Sequence, residues 1–270
     1  KLRITGGEPL IRPELPDLIR AWVNIPGIDD VAMTTNGFYL RQHAQALHDA
    51  GLHRLTISLD ALDNETFQIL NGGKSTVERV LDGIAAAQEV GFTNIKINAV
   101  IKKGVNEHAL LDLARHFKGT GIIVRYIEYM DVGNLNGWKM DDVVTAADIR
   151  NLISAEMPLE PIAPNYVGEV ANRFRYVDGE GEVGIIASVT KPFCGNCSRA
   201  RVSSAGEYYT CLFAVNGTDL RTPLRDGSSD ADIIKLIGGV WQNRTDQYSE
   251  LRTSYTERPE KGAEMYRLGG

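Results

Sequence analysis

Residues 95–130, IKINAVIKKGVNEHALLDLARHFKGTGIIVRYIEYM, decide the fold. An apolar run of strand length, IKINAVI, is followed by a helical pattern over Glu107 to Phe117 and then by a second strand-like run, IIVRYIEYM. Strand, helix and strand in succession read as a βα repeat that implies a parallel sheet. Outward from this unit the same beat recurs. LRIT precedes a helix around Glu14 to Asn24, VAMTT precedes Leu40 to Ala50, and LTISL precedes a helical stretch to about Val90. Leu15, Leu18, Ile19 and Trp22 fall at helical spacing, as expected of a helix that covers one sheet face.

Parallel strands buried on both faces usually read as unbroken apolar runs, yet these carry polar side chains at alternate positions. Arg3 and Thr5 share one face, as do Thr34 and Asn36, then Thr56, Ser58 and Asp60, then Lys96 and Asn98, and finally Glu128 and Met130. Closing the sheet aims all five sets into one lumen at the C-terminal ends of the strands, where barrel enzymes keep their sites. Beyond Met130 the rhythm changes to a Gly/Asn-rich connection, a helix over Ala146 to Met157, and a linker marked by Pro158, Pro161 and Pro164. From Gly168 onward, short strands (VANRFRYV, GEVGIIASV, ARVS) are expected around a cysteine motif, with a helix near Asp230 to Trp241 and a polar tail after it. The fold class is therefore α/β, an incomplete TIM-like (β/α) barrel over residues 1–144 with a mostly β extension over 145–270. The barrel starts abruptly at Lys1, which reads as the loss of an N-terminal portion holding its first βα unit.

Cys194, Cys197 and Cys211 are the chain's whole complement of cysteine, spaced C-x2-C-x13-C. The two-residue gap lets adjacent thiolates converge, and the turn-rich SSAGEYY can carry the third back to them. No histidine follows His116, so a local Cys3His zinc site is not available. An iron–sulfur cluster with one iron open to a small molecule, a zinc ribbon closed by a distant ligand, and three small core residues all remain compatible with this spacing. Three cysteines in one motif fit a reducing compartment, and the protein is read as cytoplasmic. A net charge of −6 argues against a duplex nucleic-acid binder, and no apolar run reaches the length of a membrane span.

ITGGEPLIR, TTNG, ISLDA, the E-x-M of Glu128 to Met130, and CGNCSRAR with a Gly-Gly terminus together resemble the radical S-adenosylmethionine (SAM) enzymes. More closely, they resemble the molybdenum-cofactor biosynthesis protein A family, the GTP 3′,8-cyclases, in order along the whole chain. The resemblance implies that SAM lies on Gly6, Gly7, Glu8, Ser58 and Met130. It implies GTP contacts at Arg3, Thr34, Lys96, Arg199, Ala200 and Arg201, and a substrate-side [4Fe-4S] cluster on Cys194, Cys197 and Cys211. It further implies a Gly269–Gly270 tail entering the active site, a homodimer, and a downstream pyranopterin-forming enzyme as pathway partner. The residues agree in kind: a hydroxyl for ribose, a thioether for an aromatic ring, and lumen cations that need an anion. The departure from the family is the C-x3-C-x2-C triad of the SAM-cleaving cluster, which is not among these 270 residues. The second cluster is thus expected only in the intact parent, and this chain alone is expected to be inactive. Rival readings are a radical SAM peptide-modifying enzyme with an auxiliary cluster and a non-enzymatic, zinc-bearing nucleotide-binding module.

Overall fold

The computed structural model describes residues 1–133, 137–252 and 263–264. Eight strands form one sheet in the order β1-β2-β3-β4-β5-β8-β7-β6, where β6 is Leu159–Ile162, β7 Asn172–Tyr176 and β8 Glu182–Ile186. Its first five strands are β1 (Leu2–Ile4), β2 (Val31–Thr35), β3 (Arg54–Ser58), β4 (Ile95–Ile101) and β5 (Ile123–Glu128). These run parallel and in chain order, and β8 (Glu182–Ile186) continues them in parallel beside β5. The arrangement is a partial (β/α) barrel. Val31, Met33, Leu55, Ile57, Ile97, Val124 and Tyr126 point to the convex side, each at most 2% exposed. There they meet helices α1 (Leu15–Val23), α2 (Leu40–Asp49), α4 (Val77–Glu89) and α5 (Ala109–Phe117), whose Ile19, Leu47, Val80 and Leu110 are fully buried. The Tyr126 hydroxyl, deep in this layer, donates to the Leu110 carbonyl at 3.0 Å, so its polar end is satisfied.

Three features differ from the sequence reading. The helical stretch expected to run to Val90 is two helices, because Gly72 takes a left-handed conformation (φ 69°) and closes α3 (Asn64–Asn71) before α4 begins. The expected proline linker contains β6 (Leu159–Ile162), which pairs antiparallel with β7 (Asn172–Tyr176) and places Pro161 opposite Phe174. Proline is accommodated because β6 ends the sheet, where a missing N–H leaves no inner ladder incomplete. Finally, β7 and β8 join the main sheet and do not surround the cysteines. The smaller sheet beside the cysteines is β9 (Arg201–Val202), β10 (Glu207–Tyr209) and β11 (Thr218–Asp219).

Helix α6 (Ala146–Glu156) packs on the convex side of β5, β6 and β8, and its N-cap Thr145 accepts the Asp148 N–H at 3.1 Å. Helix α7 (Asp230–Gln242) starts in a Ser229/Asp232 capping box, and a short helix, α8 (Tyr248–Leu251), ends the described C-terminal run. Among the described residues no helix is long and apolar enough to cross a membrane.

Candidate functional site

Strand register stacks the concave side chains in layers. Thr34, Thr56 and Lys96 are direct partners across β2, β3 and β4. One layer up, Ser58, Asn98 and Arg125 are partners across β3, β4 and β5, and Arg125 faces Gly184 of β8. A Cβ at Gly184 would meet the Arg125 stem at 3.1 Å, so the glycine makes room for this arginine to cross the face. Arg3 donates to Thr34 Oγ1 at 3.0 Å and Arg125 donates to Thr56 Oγ1 at 3.2 Å. Arg54, beside them, is held in a fork by Asp30.

These cations outweigh the anions around them. Burial, then Arg54, lowers Arg3; burial, then Arg125, lowers Lys96. Arg125 is pushed down to about 10 by burial and then by Arg3 and Arg54, and its Nε is buried with no hydrogen-bond partner among the described residues. Arg3 retains accessible surface because the face is concave, yet protein atoms crowd it on the other sides, which is where its desolvation arises. Arginine stays protonated at this displacement, so the face holds uncompensated positive charge.

At the C-terminal rim, Gly6 needs its glycine for a φ of 125°, and a Cβ at either Gly6 or Gly7 would meet nothing within 4 Å. The loop therefore borders open space. Glu8 accepts from Thr35 Oγ1 at 2.6 Å, Asn36 N–H at 2.8 Å and Leu10 N–H at 3.0 Å, so its carboxylate ties the GGEP turn to the TTNG turn. Ser58 ends β3 and Met130 follows β5, which brings both half-buried side chains to the same rim.

Asp60, two residues beyond Ser58, accepts the Val100 N–H at 2.8 Å, and burial pushes its carboxyl up to about 6. An unfolded aspartate titrates near its ordinary value of about 3.9. Between about pH 4 and 6 the folded state thus holds the extra proton, and this group's contribution to stability falls as pH rises through that window. Asp60→Asn keeps an acceptor for Val100 and removes the charge. In urea unfolding it is expected to be about 1–3 kcal/mol more stable than the parent at pH 7.5, the low end reflecting the strip of surface Asp60 retains, and equal to it at pH 4. The same gap at both pH values would exclude ionisation as the cause.

The cysteines lie next to the basic face. Cys194 opens a 3-10 turn that ends when the Cys197 N–H bonds back to the Cys194 carbonyl at 3.0 Å. As expected from SSAGEYY, β9 and β10 form a hairpin that returns the chain to Cys211, whose Sγ accepts the Phe213 N–H at 3.4 Å. Burial raises the Cys197 thiol, but the Arg199 N–H and guanidinium, helped by Arg244, outweigh it and leave the thiol below its ordinary value. Cys211 moves the other way, mainly through burial. Arg201 connects the two regions. Burial and then Arg199 push it down to about 10, the Cys211 and Cys197 thiols oppose that, and Arg3 of the barrel acts on it as well. Of the two arginines only Arg201 is in a strand; Arg199 precedes it and stacks over Phe193 at 4.9 Å. Among the described residues no three His, Cys, Asp or Glu side chains converge tightly enough to grip a single metal ion. The donor set still fits an iron–sulfur cluster in its chemistry: three thiols, that of Cys197 shifted toward easier deprotonation, in electropositive surroundings.

Glu128 does not face the lumen. It is partnered with Ile101 and shares the convex side with Val124 and Tyr126, because the residue of β5 in register with Ser58 and Asn98 is Arg125. Completely buried, Glu128 accepts from Ala146 N–H at 2.6 Å, Val189 N–H at 2.7 Å, Thr190 N–H at 2.8 Å and the Thr190 hydroxyl. Period-two reading alone could not select the face in IIVRYIEYM, where charges occur on both; pairing β5 with Lys96 and Asn98 of β4 would have selected Arg125. Gly269 and Gly270 lie outside the described residues. Ala263, however, donates its N–H to the Ala214 carbonyl at 3.3 Å, beside the Cys211 loop, and the Glu264 carboxylate lies against Gly133.

Residues 1–117 match the family model of the Radical SAM superfamily, and residues 122–250 match that of Molybdenum Cofactor Synthesis C. A protein named GTP 3′,8-cyclase from Xanthomonas campestris pv. campestris (strain B100) is 50% identical over 270 residues, all of this chain and 79% of the relative. Proteins of the same name from Acidothermus cellulolyticus and Staphylococcus haemolyticus are 51% and 43% identical, over 93% and 100% of this chain and 71% and 80% of their own lengths.

Proposed function

Because this chain belongs to the GTP 3′,8-cyclase family of the Radical SAM superfamily, the enzymes of molybdenum-cofactor biosynthesis, we propose that its concave basic face binds GTP between a SAM site at the strand rim and a cluster on the three cysteines. The observation that carries the reading is the surplus of cations directed at one space. Arg3 repels Arg125 and Arg201, and Arg125 repels Lys96, until an anion enters, and a triphosphate supplies three adjacent groups of oxygens for these cations. Thr34 holds Arg3 in place, while Arg199 and Ala200 line the approach from Cys197 to Arg201.

Gly6 and Gly7 leave their backbone open to the methionyl part of SAM, and Glu8, oriented by its three donors, offers a carboxylate to the amino group. Ser58 and Met130 are assigned to the sugar and the adenine. Cys194, Cys197 and Cys211 would hold a [4Fe-4S] cluster beside Arg201, with the fourth iron left for the purine. The one-electron chemistry, from hydrogen abstraction at the ribose 3′ carbon to bonding of that carbon to guanine C8, is supplied by the bound cofactors. The chain's part is to neutralise the triphosphate, fix the distance from ribose to the SAM site and exclude water. The Gly269–Gly270 tail is assigned to the same space, an assignment supported by the position of Ala263 and Glu264. A cytoplasmic homodimer that delivers its product to a pyranopterin-forming enzyme completes the proposal.

The test is full-length protein incubated anaerobically with GTP, SAM and a reductant. A cyclised nucleotide is expected from the complete protein and none from these 270 residues alone, which contain no C-x3-C-x2-C segment. Absence of product from the complete, cluster-loaded protein would sink the assignment.

A further inference from the structure

Arg252 sits where the supports of all three cysteines meet. Its Nε donates to Asp131 Oδ1 at 2.9 Å and its Nη1 to the Ser188 carbonyl at 3.3 Å. Both charged side chains are enclosed, 7% exposed for Arg252 and 1% for Asp131. Tyr248, at the start of helix α8 whose C-terminus Arg252 caps, donates its hydroxyl to the other Asp131 oxygen at 2.7 Å. The guanidinium is surrounded by the rings of Trp138, Phe213 and Tyr248 at 5.4–5.8 Å, and Phe213 stacks on Tyr248 at 4.5 Å.

What this pair holds is functional in location. Asp131 directly follows Met130 at the barrel rim, and Ser188 lies between β8 and the cysteine turn. Phe213 is the residue whose N–H meets Cys211 Sγ. Two residues before Arg252, Glu250 accepts the Gly195 N–H at 3.1 Å inside the Cys194–Cys197 turn, and Arg244 donates to the Cys197 carbonyl. A turn this short has too few internal bonds to fix its own orientation. Its N–H and C=O are instead held by the C-terminal arm, and the arm is anchored by the buried Arg252–Asp131 ion pair, with the Tyr248 hydroxyl on the same carboxylate and the Thr210 hydroxyl on Asp246 as neutral supports.

We propose that Arg252, locked on Asp131, is a positioning residue that docks the C-terminal arm so that Glu250 and Arg244 hold the cysteine turn at the barrel rim in register with the nucleotide site. The inference rests on the GTP-and-cluster reading above for its functional consequence, but the clamp itself is a statement about the chain alone. Lysine at position 252 keeps the charge and loses the fork and the flat contact with the rings, so it should retain part of the effect.

The experiment compares full-length parent, Arg252→Ala, Arg252→Lys and Asp131→Asn. Amide hydrogen exchange is followed at residues 194–197, GTP and SAM affinities are measured on cluster-loaded protein, and the paramagnetic signature of the reduced C-terminal cluster is recorded with and without GTP. Arg252→Ala and Asp131→Asn are expected to speed exchange at Gly195 and to weaken GTP binding, each by about tenfold, the usual effect of losing a charge-assisted hydrogen bond. They should also blunt the spectral change on adding GTP, with SAM affinity unchanged and Arg252→Lys intermediate. Unchanged exchange at Gly195 in Arg252→Ala would overturn the clamp, as would loss of SAM and GTP affinity in parallel with no rescue by lysine. If the parent itself does not bind GTP, the functional reading fails while the exchange data still decide the clamp.

Discussion

Arg125→Met is expected to weaken binding of GTP by at least about a hundredfold while making the ligand-free protein more stable, two effects of opposite sign from one substitution. The loss follows from what a guanidinium does for phosphate: two parallel charge-assisted bonds contribute about 1.5–3 kcal/mol each, and methionine offers none. The gain follows from the cost of keeping Arg125 where it is. In the ligand-free protein it makes, among the described residues, a single hydrogen bond, to Thr56, leaves Nε buried without a partner there, and is repelled by Arg3 and Arg54. Methionine fills much of the same channel past Gly184 with none of that repulsion. Calorimetric binding of GTP and chemical unfolding of the same preparation check both signs. A variant that binds normally would remove Arg125 from the nucleotide site, and one that is destabilised would show that its stem packing outweighs its charge.

Glu128→Ala is expected to cost about 4 kcal/mol or more, enough to unfold a marginal domain, because three backbone N–H groups and one hydroxyl lose a shared acceptor in a fully buried place. Glu128→Gln is the sharper experiment. The carboxylate uses both oxygens as acceptors, Oε1 for Ala146 and the Thr190 hydroxyl, Oε2 for the Val189 and Thr190 N–H groups. An amide must turn its NH2 toward one of those sets, setting donor against donor. Glutamine should therefore still cost about 2 kcal/mol and should speed amide exchange from Val189 into the cysteine turn. Denaturant unfolding with exchange on the Gln variant decides it: stability within about 0.5 kcal/mol of the parent, the usual range for an inert site, would mean that this carboxylate is not what joins β5 to the cysteine loop.

Glu128 also shows how far sequence reading reached. The alternation of polar residues correctly placed Arg3, Thr34, Thr56, Ser58, Lys96 and Asn98 on one face, because side-chain direction within a strand follows from the two-residue pleat alone. It failed at β5, where both faces carry a charge and only pairing with β4 tells which is inside. The proline-marked stretch failed for a related reason. Local propensity opposes a strand at Pro161, and only the position of β6 at the edge of the sheet removes the objection.

From the chain itself, then, came the βα order, the helix faces, the cysteine spacing and the family, all of which depend on neighbours within a few residues or on motifs written contiguously. The tertiary structure decided which charges share a space and what holds the cysteines in place. Arg125 reaches Thr56 across 69 residues, Glu128 reaches Thr190 across 62, and Arg252 reaches Asp131 across 121. Contacts between such distant positions are set by strand register and by the return of the C-terminal arm, and neither leaves a periodic signal in the sequence, because burial pairs these residues only after the sheet has formed.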